Sequence, residues 1–222
     1  MGGVFEEEAL TEGRQVIFNG KDIRNWEEEG DFEVEIKNDA LFLTANTSEG
    51  GYLLSEKSYK NFVLNLEFLA PFINSGIAFR WDKEKGMGLD TASYVLNLDW
   101  DKAQQNPMGS IIFFARAKLF DSLDAGQWHK LRLEALGYHL RVFINEDLVA
   151  ETHDRTFVSG KLALLLPSEA GQTIGFRELI LEEFPEKKIA DVMMEHELRR
   201  SKKSELISLF PTDDFDGWNP VG

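Results

Sequence analysis

The chain has 222 residues with 43% hydrophobic and 12% aromatic content, which is enough to bury one sizeable core. Its formal net charge is −15, and a field of this sign repels nucleic-acid phosphates and anionic membrane surfaces. The absence of cysteine excludes disulfides, cysteine-ligated zinc and a thiol nucleophile. No apolar run reaches the roughly 20 residues that span a bilayer. We therefore predict no nucleic-acid partner and no membrane insertion.

Short apolar runs separated by turn residues follow one another from Gln15 onwards. In three central segments, 62–68, 75–81 and 94–100, large apolar residues alternate with small or polar ones, as expected for strands with one buried face. Further strands are predicted at 32–36, 40–44, 111–118, 127–135, 139–144, 160–166 and 174–181. This pattern predicts an all-β fold, a sandwich or a barrel.

The domain organisation is predicted from changes in composition. The sandwich domain is expected to span 14–184, followed at 185–207 by an amphipathic helix that packs on the domain or links it onward. Residues 209–218 resemble residues 17–26 in their aromatic, Asp and Trp positions. This similarity has two readings: chance, or the start of a second, truncated copy of the domain in 208–222.

Several segments together resemble a known family. They are Phe18-Asn19-Gly20-Lys21-Asp22 with Trp26, then Gly51-Tyr52-Leu53-Leu54, Tyr59-Lys60-Asn61-Phe62, Asn74-Ser75-Gly76-Ile77-Ala78-Phe79-Arg80, Gly126-Gln127-Trp128-His129-Lys130 and Phe143-Ile144-Asn145. From about Val16 to Phe184 the chain resembles the bacterial 3-keto-disaccharide hydrolase family, first recorded as a domain of unknown function. The resemblance implies the concanavalin A-like lectin/glucanase fold, which is a two-sheet jelly-roll sandwich. It also implies hydrolysis of glycosides oxidised at the sugar 3-position.

The resemblance also implies export, to the periplasm or outside the cell, because members are mostly exported proteins. The first eight residues have no basic start and no apolar segment. Such a start fits a cytoplasmic protein and equally a chain that begins after a removed leader.

One departure from the family pattern bears on activity. After the arginine strand the family usually has Tyr-Glu, then Gln two residues on. Here Val95 stands in place of that glutamate and Asn97 replaces the glutamine. If the glutamate is needed for chemistry, this copy is inactive.

Alternation marks a less apolar face that carries candidate site residues. We predict Glu67, Arg80 and Asp99 as catalytic residues on probable neighbouring strands, with Glu67 and Asp99 as a carboxylate pair for glycoside cleavage. Planar hydrogen-bonding groups and aromatic faces suit sugars, which adds four substrate-binding candidates: Asn65, Asn97, Trp81 and Trp100. The alternative is a Glu67–Arg80 ion pair on an ordinary solvated sheet face. For Trp81 and Trp100 alternation favours core packing, unless the strand ends bend, and Trp26 and Trp128 are interpreted as core anchors.

The predicted partner is carbohydrate, and two functions stay open. One is a glycoside hydrolase or lyase that acts on 3-keto glycosides, in which elimination needs a base and stabilisation of an enolate. The other is a non-catalytic carbohydrate-binding or cell-surface module. No cofactor is predicted. The histidines lack metal-ligand spacing, and Asp99, Asp101 and Asn106 lack the glycine of an EF-hand loop, so a divalent cation stays an unproven alternative to a plain acidic loop.

Overall fold

The computed structural model describes residues 13–69, 75–82, 84, 89–99, 106–118, 126–192, 194 and 198. The chain divides into two compact units, Met1–Phe184 and Pro185–Gly222. Within the described residues the first unit contains thirteen strands and one short helix, α1 (Leu89–Ala92). The strands are β1 (Arg14–Val16), β2 (Trp26–Gly30), β3 (Phe32–Lys37), β4 (Ala40–Ala45), β5 (Gly51–Tyr59), β6 (Phe62–Leu69), β7 (Gly76–Trp81), β8 (Tyr94–Asn97), β9 (His129–Leu136), β10 (His139–Ile144), β11 (Asp147–His153), β12 (Gly160–Leu165) and β13 (Thr173–Glu183).

The strands form two antiparallel sheets, which confirms the predicted all-β sandwich. The larger, eight-stranded sheet runs β11-β10-β9-β6-β13-β4-β3, with β1 also paired to β13. The smaller, five-stranded sheet runs β2-β5-β12-β7-β8. Strands that are close in sequence, such as β6 and β7, therefore belong to different sheets.

The core lies between the two sheets and follows the predicted alternation. From β6 it receives Phe62, Leu64, Leu66 and Phe68, all at most 3% exposed. From the smaller sheet it receives Ile77, Phe79, Tyr94 and Leu96, each 0% exposed. Burial of this apolar surface is the main stabilising contribution, at roughly 25 cal/mol per Å² removed from water.

The packing of β7 against β8 explains why residue 76 is a glycine. A Cβ placed on Gly76 would lie 2.4 Å from the carbonyl oxygen of Leu96 on β8. No real Cβ tolerates that distance, so the close pairing of β7 with β8 requires glycine at this position.

One strand prediction is wrong. Residues 111–115 form a tight turn closed by a bridge between Ile111 and Ala115, whose amide donates to the carbonyl of Ile111 at 2.8 Å, and residues 116–118 belong to no strand. Phe113 at the tip has a φ of +69° and is 76% exposed, so this apolar run does not continue as extended chain.

The second unit begins with a 3₁₀ helix at Glu186–Lys188, and residues 189–192, 194 and 198 are α-helical. This agrees with a short C-terminal helix. Residues 199–207 of the predicted helix and the possible second copy at 208–222 lie outside the described residues. In the part of the chain that the structure describes, no helix has the length and apolar character needed to cross a bilayer.

Candidate functional site

The outward face of the eight-stranded sheet carries a row of polar groups on its central strands. On β6, Asn65 and Glu67 alternate with the core residues and point away from the core, as predicted. Their register partners on β9 are Arg132 and Lys130, and on β13 they are Ile180 and Arg177. Two cross-strand rows of side chains therefore lie side by side on this face.

These rows line a groove of about 440 Å³, which is within the roughly 300–1,000 Å³ of small-molecule sites. The groove crosses β13, β6, β9 and β10. Its lining includes Asn65, Glu67, Lys130, Arg132, Phe143 and Glu178. It thus presents hydrogen-bond donors, acceptors and one aromatic ring together.

Two of the lining charges are held by partners on the same sheet face. Arg177 donates from Nε to Oε2 of Glu67 at 2.7 Å, and its Nη2 lies 2.5 Å from the same oxygen. Arg132 donates to Oε1 of Glu134 at 2.7 Å, while Arg141 donates to Oε2 of the same carboxylate at 2.7 Å. Because Glu134 is only 2% exposed, this Arg–Glu–Arg cluster fixes the position of Arg132 at the groove.

Other lining groups keep their hydrogen-bonding capacity. Within the described residues, the half-buried side-chain amide of Asn65 and the ammonium of Lys130 form no hydrogen bond or ion pair. Likewise Oε1 of Glu67 accepts no hydrogen bond from the described residues, since Arg177 contacts only Oε2. These groups are therefore available to form hydrogen bonds with water or with a ligand in the groove.

An aromatic cluster borders the groove on the same face. Trp128 contacts Phe42 edge-on, with ring centroids 6.0 Å apart, and the guanidinium of Arg177 lies 4.4 Å from the Trp128 ring centroid. The interpretation of Trp128 as a core anchor is wrong, because it lies on the outward face and is half-buried. Trp26 is buried, at 8% exposure, and its Nε1 donates to the carbonyl of Ile17.

Arg80 does not lie beside Glu67. The pairing of β12 with β7 shifts register between Lys161 and Ala163, and Arg80 has a φ of +53° at this bulge. The extra residue turns Arg80 inward, where it is 1% exposed and donates to the carbonyls of Lys60, Phe157 and Ala135 at 2.6–3.2 Å. Burial lowers the pKa of Arg80 to about 10.

The expectation that Glu67, Arg80 and Asp99 lie on one face of neighbouring strands is therefore wrong in its geometry. Glu67 lies on the larger sheet, whereas Arg80 and Asp99 belong to or follow strands of the smaller sheet. The side chain paired with Glu67 is Arg177. The sequence offered only the Glu67–Arg80 pair because the alignment of β6 with the distant β13 is not visible in a local pattern.

The same bulge turns the Trp81 side chain to the opposite face of the sheet from the predicted one. Instead of entering the main core, Trp81 packs with Leu54, Ala78, Ala92 and Ala163 in a second apolar cluster, and its ring lies edge-on to Tyr52 at 4.8 Å. The Trp81 ring is 7% exposed in this cluster and does not line the groove on the larger sheet, so its predicted contact with substrate stays a prediction. Trp100 lies outside the described residues.

Asn97 and Asp99 are buried at the end of β8, each 2% exposed. Asn97 donates from Nδ2 to the carbonyl of Asn106 at 2.6 Å, and its Oδ1 accepts the amide hydrogen of Asp99. Asn97 therefore fixes the chain that follows β8. Within the described residues no group of three or more His, Asp or Glu side chains is arranged to hold a metal ion.

The sequence pattern of the 3-keto-alpha-glucoside-1,2-lyase-like domain family matches residues 13–181. The chain belongs to this family. The predicted membership is thus confirmed, and with it a place among carbohydrate-active proteins. No curated protein sequence shows a significant match to the chain.

Solved structures share the fold of this lyase-like domain. A protein from Parabacteroides distasonis, provisionally named a glycosyl hydrolase, has a TM-score of 0.63 at 13% identity, covering 78% of this chain and 95% of its own. Carbohydrate-binding module CBM66 from Bacillus subtilis has a TM-score of 0.53 at 20% identity, covering 72% and 96%. A Bacillus subtilis protein of unknown function with a galectin-like fold has a TM-score of 0.53 at 12% identity, covering 77% and 94%. At these identities the similarity shows the fold alone.

At the position of Val95 this domain departs from the usual family pattern, and the structure shows what surrounds that position. Val95, which stands in place of the glutamate, is half-buried and packs against the second apolar cluster around Leu54, Ala78 and Trp81. An ionised carboxylate in that position would need a partner or solvent. Here the position is occupied by packed hydrocarbon.

Proposed function

We propose that this domain binds carbohydrate through the groove on its eight-stranded sheet and recognises sugar hydroxyls without cleaving the glycan. The observation that carries this proposal is the half-buried Asn65 amide, which has no hydrogen-bond partner among the described residues and lines the groove next to Arg132. An amide donates and accepts at once, as a sugar hydroxyl does. Phe143 supplies an apolar surface for the C–H groups of a sugar ring.

The neighbouring charges support recognition of a neutral polyhydroxylated ligand. Lys130 offers three donors, and Oε1 of Glu67 offers an acceptor on the adjacent strand. Because Glu134 and Arg177 already hold Arg132 and Glu67, a ligand meets side chains whose conformations are fixed before binding. Preorganisation of this kind lowers the entropy cost of association.

Isothermal titration calorimetry with cello-, laminari- and malto-oligosaccharides tests this function. We expect Asn65→Ala to weaken the binding of the recognised oligosaccharide by roughly tenfold, the effect of about 1.4 kcal/mol. Lys130→Ala is expected to weaken it as well. Lys37→Ala is the matched control, since Lys37 is an exposed lysine on edge strand β3 of the same sheet, outside the groove. Equal affinity of the Asn65 and Lys37 variants would contradict the assignment of the groove.

A second function, elimination from a 3-keto glycoside, is favoured by the family match and by Glu67. Glu67 lines the groove beside Lys130, its register partner on β9. In this reaction Glu67 takes the C2 proton of the 3-keto sugar, and the C–H electron pair forms an enolate with the C3 carbonyl. When the enolate collapses to the ketone, the C1–C2 double bond forms, the C1–O bond breaks and the leaving oxygen takes the proton from Glu67. Lys130 stabilises the enolate oxygen.

The predicted hydrolytic pair, Glu67 and Asp99, spans two sheets and so has less structural support than elimination. A turnover assay on 3-keto glucosides, with and without divalent cations, separates the candidate functions. Product that is lost in a folded Glu67→Gln variant indicates the enzyme. No product from the unmodified protein, with oligosaccharide binding that is weakened in Asn65→Ala, indicates the binding module.

The tandem arrangement stays a proposal that rests on the similarity of residues 209–218 to 17–26. Expression of a longer gene product and limited proteolysis between the two copies would test it.

A further inference from the structure

Glu178 occupies an irregular position in β13. Register with β6 pairs Arg177 with Glu67 and then Ile180 with Asn65, so that β13 has one more residue than β6 over this stretch. The extra residue forms a β-bulge, and Glu178 adopts a φ of +55°.

The bulge decides which side chains reach the outward face. With regular alternation Arg177 and Ile180 would point to opposite faces. With the bulge, both line the outward side, Leu179 stays 0% exposed in the core, and Glu178 is exposed between Arg177 and Ile180. Glu178 consequently lines the groove at the level between the Asn65 and Glu67 rows.

No contact of the Glu178 side chain offsets its disfavoured backbone conformation. A non-glycine residue in the left-handed region is disfavoured relative to glycine. Among the residues that the structure describes, the Glu178 carboxylate forms no hydrogen bond and no ion pair. A strained backbone position that projects an unpaired charge into a groove is typical of a functional residue.

We propose that Glu178 is a ligand-contacting residue of this groove that accepts hydrogen bonds from the hydroxyls of neutral sugars and disfavours anionic ones. This inference rests on the proposed carbohydrate-binding function. A carboxylate accepts through two oxygens, so it matches a pair of adjacent hydroxyl donors. It repels the carboxylate of a uronic acid.

Two substitutions test the role of Glu178. Glu178→Gln removes the charge and keeps the shape. Glu178→Gly removes the side chain but suits the positive φ, so folding is retained and the melting temperature stays the same or rises. The matched control is Glu182→Gln, which makes the same chemical change on the same strand and lies outside the groove.

Affinities are measured calorimetrically for the neutral cello-, laminari- and malto-oligosaccharides and for oligogalacturonates. We expect both Glu178 variants to bind the recognised neutral oligosaccharide about tenfold to a hundredfold more weakly, as for loss of a charged hydrogen bond. Glu178→Gln is expected to reduce the ratio of the affinity for neutral oligosaccharides to the affinity for oligogalacturonates. Glu182→Gln is expected to bind both kinds of oligosaccharide as the unmodified protein does.

The outcomes distinguish this inference from the function on which it rests. Loss of binding in Asn65→Ala with unchanged affinity and preference in both Glu178 variants would overturn the role of Glu178 and leave the groove assigned. Failure of the unmodified protein to bind any of these oligosaccharides would overturn both.

Discussion

Glu67 and Arg177 are register partners on β6 and β13, and the guanidinium contacts Oε2 of the carboxylate through both Nε and Nη2. Since Arg177 also covers the Trp128 ring, one side chain joins the charged and aromatic parts of the groove face. The pair holds Glu67 at the groove through Oε2. Its role is positional whether the domain binds or cleaves the glycan.

Arg177→Ala should lower the free energy of unfolding by about 1–2 kcal/mol, because it removes a partly buried ion pair and a cation–π contact together. Urea denaturation measures this loss. Arg155→Ala is the control, since Arg155 lies 4.4 Å from the Tyr138 ring and forms no ion pair among the described residues. A loss no larger in Arg177→Ala than in Arg155→Ala would contradict a contribution from the Glu67 pair.

Arg80→Met should destabilise the domain by roughly 3 kcal/mol, because the carbonyls of Lys60, Phe157 and Ala135 lose a buried charged donor. Arg24→Met, at a side chain that is 85% exposed, should change the stability by less than about 0.5 kcal/mol. Thermal unfolding and oligosaccharide titration are measured on both. If Arg80→Met abolished ligand binding without a loss of stability, Arg80 would belong to the site.

Val95→Glu should cost about 1–3 kcal/mol of stability, because a carboxylate replaces a packed side chain in the cluster around Leu54 and Trp81. Val158→Glu, at a position that is 52% exposed, should be nearly neutral. We expect no turnover of 3-keto glucosides by either variant. Turnover that appears only in Val95→Glu would show that the family's glutamate is the missing element of an otherwise complete active site.

Tyr94→Phe should lower stability by about 1–2 kcal/mol at pH 7, because it removes the hydrogen bond from the Tyr94 hydroxyl to Oδ1 of Asp154, at 2.5 Å. Burial opposes ionisation of Asp154, but hydrogen bonds from Tyr94 and Thr156 outweigh it and lower its pKa. A carboxyl group whose pKa is lower in the folded state stabilises the fold above its unfolded pKa and loses that effect as the pH falls.

The stability difference between the unmodified protein and Tyr94→Phe should therefore shrink as the pH falls below about 4, the range in which unfolded Asp titrates. Urea denaturation at pH 7 and at steps from pH 5 to pH 2 measures it. Tyr138→Phe, at a tyrosine that is 48% exposed, is the control and should show little effect at any pH. A Tyr94→Phe difference that stays constant with pH would exclude Asp154 as the partner that matters.

Much of the fold could be predicted because alternation is a local property. The large apolar residues of β6, β7 and β8 face the core as expected, and Asn65 and Glu67 face outward, since successive side chains of a strand point to opposite sides. Family membership was also predicted from local segments, in one of which Gly76 is required by the close approach of β8.

The partners of Glu67 and Asn65 on neighbouring strands could not be predicted, and the reason is physical. Both sheets bury one face against the same core, so β6 and β7 have the same apolar pattern whichever sheet they join. Only the tertiary structure decided that Glu67 meets Arg177, 110 residues away, and that Lys130 and Arg132 complete the groove.

Composition, charge and alternation by themselves determined the class of fold, the core residues of the central strands and the exclusion of thiol and disulfide chemistry. The tertiary structure decided the strand neighbours and the two bulges, which turn Arg80 into the interior and Glu178 into the groove. A bulge inserts one residue, so the side chains after it point to the opposite face of the sheet from the one that regular alternation predicts. An arginine or a glutamate in the sequence does not indicate a positive φ. Pairing energy between distant strands, rather than any local preference, holds these two residues in place.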